Sequence, residues 1–133
     1  MNRARISAVA VAAMLGAAMP AGAVGLGPLS KEGLIDGPRK GFELVLYNPY
    51  DDAVDFIAYA VGIGDETPQQ RVTVIPQQTK LGGGQSRRLI VIARDLSLNE
   101  HYQFRVCAER QAPPSGIRIN ARVCSKLSVT RVR

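Results

Sequence analysis

Few residues in this 133-residue chain are of types that carry out covalent, acid–base or metal chemistry. The chain has two cysteines, Cys107 and Cys124, and one histidine, His101. A single histidine leaves no Ser/His/Asp or Cys/His arrangement to assemble. Without a CxxC pair or further histidines, thiol exchange and zinc ligation also lack partners. The acidic cluster Asp51, Asp52 and Asp55 lacks the spaced ligands of a calcium loop. "LGGGQS" (82–84 are its glycines) is not followed by Gly-Lys-Ser/Thr or a helical pattern, so it is no phosphate loop. No enzyme, metal or cofactor reading emerges, and the chemistry that remains is a disulfide and charge.

The setting of the cysteines follows from the first residues. "MNRAR" is a short basic stretch, "ISAVAVAAMLGAAM" is an apolar run too short to span a bilayer comfortably, and "AGA" is a small-residue cleavage signal. Residues 1–23 therefore read as a secretory signal peptide cleaved after Ala23, with a retained anchor as the alternative. No later segment is apolar enough to span a membrane, and residues 24–133 suit one domain with one core. An even cysteine count in an exported chain points to one disulfide.

Charge is unevenly placed. Residues 24–66 hold three basic and eight acidic side chains, whereas residues 67–133 hold twelve basic and three acidic ones. A basic half fits an acidic partner, an anionic surface or a solvated face. Nucleic acid is excluded as a partner because the basic stretches lack interleaved aromatics for base stacking.

The elements that position these residues are strands. "GFELVLYNP" alternates Phe42, Leu44 and Leu46 against Glu43, Val45 and Tyr47, then stops at an Asn-Pro turn. "AVDFIAYAVGI" (53–63), "RVTVIP" (71–76, an edge strand by virtue of Pro76), "RRLIVIA" (87–93) and "HYQFRVCAE" (101–109) follow, with a broken first strand in "VGLGPLSKEGLI". The last strand lies in "SGIRINARVCSKLSVTRVR". There, Ile117, Ile119, Ala121, Val123, Leu127 and Val129 share one face, interrupted by Ser125. These are about seven short strands without helical periodicity, which is the pattern of an all-β, immunoglobulin-like β-sandwich. "LSLNEHY" sets Leu96 six residues before Tyr102 at a strand start, where a tyrosine hydroxyl ties the E–F corner of such sandwiches.

The last two strands fix a register. Cys107 and Cys124 each lie on the polar face, and pairing them in an antiparallel hairpin places the turn in "APPSG" and Glu109 opposite Arg122. This predicts a cross-strand Cys107–Cys124 disulfide on the outer face. The same register sets Arg105 opposite Lys126, either as two diverging solvated cations or as a small anion or carboxylate site. The apolar face of the terminal strand either packs on the domain's own core or faces a partner.

The chain resembles the N-terminal immunoglobulin-like domain of the periplasmic pilus-assembly chaperones, the PapD-like family. The resemblance lies in "FELVLYNPYDDAVDF", "IPQQTKLGGGQSRRLIVI", "LSLNEHYQFRVCAE" and the terminal strand ending in Lys-Leu. It implies a periplasmic protein-binding module whose G strand completes the fold of a pilin-like subunit. By position, Ile117, Ile119 and Ala121 become the donated side chains, and Lys126 the anchor for a subunit carboxylate. The family pairs that lysine with an arginine of the first strand, where this chain has Ser30 and Lys31. The alternative from a different class is a structural envelope or surface component that self-assembles through an edge strand. A carbohydrate binder is disfavoured by the scarcity of aromatics.

Overall fold

The computed structural model describes residues 24–111 and 121–133. The expected signal peptide (1–23), Ile117 and Ile119 lie outside the described residues.

Among the described residues nine strands form two sheets: β1 (Gly25–Gly27), β2 (Ser30–Ile35), β3 (Lys40–Tyr47), β4 (Val54–Gly62), β5 (Val72–Ile75), β6 (Gln78–Leu81), β7 (Ser86–Ala93), β8 (His101–Arg110) and β9 (Arg122–Arg131). One sheet has the order β1-β3-β7-β5 and the other β2-β9-β8-β4-β6. The alternation read from the sequence decides what faces inward. Phe42, Leu44 and Leu46 of β3 meet Leu89 and Val91 of β7 in one sheet, and Phe56, Phe104, Val106, Leu127 and Val129 close the core from the other. Phe42 and Phe104 pack edge to face across the core with ring centroids 6.4 Å apart. Each such large side chain removed from water contributes about 1.5–3 kcal/mol.

Two stretches change sheet. The broken first strand divides at Pro28: β1 pairs antiparallel with β3, and β2 crosses to run parallel to β9. The segment after Ile75 divides at Pro76: β5 pairs with β7, and β6 joins β4. Strand β6 is absent from the sequence reading because Gln78–Leu81 offers only Thr79 and Leu81 to the interior, too short an alternation to register. The Asn-Pro turn and the glycine turn are locked together by Asn48. Its buried amide donates to the carbonyls of Leu81 and Asp52, both at 2.9 Å, and its oxygen accepts from the Tyr50 N–H. Gly83 passes so close to the Asp51 carbonyl that a side chain there would collide with backbone.

Ser125, the polar interruption on the apolar face of the last strand, is fully buried and satisfied. Its hydroxyl donates to the Pro28 carbonyl at 2.6 Å, at the crossing from β1 to β2.

Candidate functional site: the open half of the last strand

The β8–β9 register is the one expected from the cysteines. Cys107 faces Cys124, Arg105 faces Lys126 and Glu109 faces Arg122. Cys107 and Cys124 form a disulfide across a Cα separation of 4.0 Å, the close spacing of a non-hydrogen-bonded antiparallel pair. Both lie on the face away from the core, yet Cys107 is completely buried between its neighbours Tyr59 on β4 and Cys124 on β9.

On its other side β9 is half covered. β2 runs beside it only from Lys126 to Arg131, beginning with Ser30 opposite Lys126. The Lys126 N–H donates to the Leu29 carbonyl at 2.8 Å, and the Val132 N–H to the Ile35 carbonyl at 2.8 Å. Backbone groups alternate sides along a strand, so those of Arg122 and Cys124 point the same way as those of Lys126. Among the described residues no strand pairs with Arg122–Ser125 on that side. Ala121, the one described member of the expected donor trio, leads into this open half and is half-buried. Ser30 sits directly beside Lys126 on the neighbouring strand.

The outer face of this region is built from cations. Arg105 donates to the carbonyls of Gly62 (2.8 Å) and Asp65 (2.7 Å) and to the Glu66 carboxylate (3.2 Å). Arg122 holds the same carboxylate through both terminal nitrogens and reaches the Tyr59 hydroxyl at 3.2 Å. The hydrogen bond from Arg122, with help from Arg105, lowers the Glu66 carboxyl to about 2. Glu109 and Arg122 face each other as the register expected, and the Arg122 guanidinium goes to Glu66. Lys126 is exposed. No local signal in "GDETP" marks Glu66; only the fold brings the β4–β5 connection over β8.

The corner also departs from expectation. Leu96 is buried, but the Tyr102 hydroxyl donates to the Gln69 side chain rather than within the corner. Arg71 lies over the Tyr102 ring, 4.4 Å from its centroid, and grips Glu100 through two bonds of 2.7 and 2.8 Å. Glu100 also accepts from the Ser97 N–H, and Arg131 donates to the Leu96 carbonyl. Arg71 first and the Ser97 N–H second hold the Glu100 carboxyl at about 2. The Ser97–Glu100 spacing is a visible turn signal, whereas Arg71 and Gln69 arrive from a distant connection.

His101 bridges two hydroxyls of β9, Thr130 at 2.7 Å and Ser128 at 3.3 Å, as an exposed surface side chain. Among the described residues no three His, Cys, Asp or Glu side chains are grouped to hold a metal ion, and no helix is long and apolar enough to cross a membrane.

This sandwich, with its first strand divided between the sheets, has the PapD-like immunoglobulin fold. The chain is similar to the Escherichia coli chaperone DraB (TM-score 0.66, 18% identity, 80% of this chain and 54% of that one). It is equally similar to a structure of the Salmonella enterica SafA pilin in complex with the SafB chaperone (TM-score 0.66, 18% identity, 83% of this chain and 54% of that one). A PapD-like domain of human CEP192 also matches (TM-score 0.60, 15% identity, 83% and 85%). The chain thus spans about half the length of the chaperones it matches. No family model and no curated protein matches it.

Proposed function

We propose that this chain is an exported protein-binding module that lends the N-terminal half of its last strand to a partner. The observation that carries the reading is the offset of β2, which, among the described residues, leaves Arg122–Ser125 paired on one side only. An extended segment added there gains main-chain hydrogen bonds from Arg122 and Cys124, and the alternate side chains set specificity. Ile117, Ile119 and Ala121 then enter a groove of the partner, and Lys126 receives a carboxylate. The similarity to a chaperone solved with its pilin supports a partner of pilin-like type.

The test is Ile119→Asp in the exported protein, measured by melting temperature and by co-purification with a co-expressed pilin-like subunit. The reading expects an almost unchanged melting temperature and loss of the complex. A large loss of stability, with no complex formed by the wild type, overturns it. Concentration-dependent oligomers of the wild type in sedimentation, abolished by the same change, would instead support the self-assembling structural component.

A further inference from the structure

The Arg122 side chain leans away from the open edge of its strand. It lies back across β8 to reach Tyr59 on β4, and Glu66 holds it there. The three groups of this cluster are not equally fixed. Arg105 is 23% exposed and anchored, besides its bond to Glu66, by the carbonyls of Gly62 at the end of β4 and Asp65 on the β4–β5 connection. Arg122 is 31% exposed and has, among the described residues, only the Tyr59 hydroxyl besides Glu66. Glu66 is 59% exposed, so water competes for it.

Resting on the strand-lending reading, we propose that Arg122 selects partners carrying an acidic side chain on the added strand, and that Glu66 is its intramolecular competitor. A strand paired beside Arg122–Ser125 places alternate side chains on the outer face, with directly opposite Cβ atoms about 4.5–5.5 Å apart. A carboxylate there lies within reach of Arg122 once the guanidinium swings from β8 to the open edge. The exposed Lys126, two positions along the same face from Cys124, adds a second cation beside the slot. Arg105 retains Glu66, so the β4–β5 connection stays folded while Arg122 changes partner. A bidentate arginine–carboxylate pair gives geometric selectivity that a lysine would not.

The experiment uses the whole chain and two blocked hexapeptides, one of alternating valine and glutamate and one of alternating valine and glutamine, titrated by NMR. The wild type is expected to bind the glutamate peptide more tightly. Glu66→Gln is expected to tighten the glutamate peptide about fivefold, as removal of an exposed competing ion pair allows, and to leave the glutamine peptide unchanged. Arg122→Gln should shrink the difference between peptides to the small remainder that Lys126 supplies, and Glu66→Gln should then have no further effect. Weaker or unchanged glutamate-peptide binding in Glu66→Gln, with a lower melting temperature, makes Glu66 a structural clamp and overturns the proposal. Equal binding of both peptides to wild type and Glu66→Gln overturns it while strand addition stands. Binding of neither peptide to either protein overturns both readings. Should Glu66→Gln not fold, Tyr59→Phe removes the other group holding Arg122 back and must also tighten the glutamate peptide, by less.

Discussion

The two halves of β9 share one sequence pattern and live in different surroundings. From Lys126 to Arg131 the strand lies between β2 and β8, with Leu127 and Val129 in the core. From Arg122 to Ser125 only β8 pairs with it among the described residues, Val123 is only partly buried, and its attachment comes from a disulfide, an arginine–carboxylate clamp and the Ser125 hydroxyl on the Pro28 carbonyl. Hydrophobic burial and two ladders hold one half; a covalent link and charge hold the other. A strand that must serve both its own domain and a partner is expected to be divided in this way, since the half that is lent cannot also be buried.

The sharpest contrast is in side-chain truncation. Leu127→Ala should cost about 3 kcal/mol in chemical denaturation, a cavity in a closed core, whereas Val123→Ala should cost about 1 kcal/mol. Equal losses would mean that the open half is packed as tightly as the closed one. Removing the disulfide by Cys107→Ser with Cys124→Ser should cost roughly 3 kcal/mol in the chain-entropy model. Thiol labelling of unreduced, denatured wild type should find no free cysteine, and amide exchange in the double variant should rise first at Val123 and Ser125.

Acid offers a smaller effect. Glu66 and Glu100 both sit near 2 in the folded chain, against an ordinary value of 4.5. Their folded values are lowered, so their stabilisation is fully present above 4.5 and drains away as pH falls from 4.5 through 2. Melting temperature should decline across that window, and Glu100→Gln should flatten the decline more than Glu66→Gln, because the Glu100 side chain is 26% exposed and that of Glu66 59%. The reverse order would place the stronger clamp on the open half.

The smallest effect leaves stability untouched. Amide exchange by NMR should be slow at Lys126, Ser128, Thr130 and Val132, whose N–H groups face β2, and fast at Arg122 and Cys124 on the same side of the strand. Protection at Arg122 and Cys124 in the isolated protein would show a covered edge. On binding a partner, these two amides should become protected before any others change.

Much of this was legible in the chain itself. Period-two alternation in β3, β7, β8 and β9 marks their inner faces, since successive side chains of a strand must point to opposite sides. The β8–β9 register followed from two cysteines, a charge pair and a turn, all within one hairpin, where pairing is local and a one-residue slip would turn every side chain over. Contacts between distant connections were not legible. The hold of Glu66 on Arg122, of Arg71 on Glu100 and of Gln69 on Tyr102 joins residues 29 to 56 positions apart. Nothing in the spacing of these residues encodes the meeting. The open half of β9 belongs to the same group. Its sequence repeats the pattern of the closed half, and the crossing at Pro28, held by the buried hydroxyl of Ser125, decides where β2 begins and which backbone groups of β9 it pairs with.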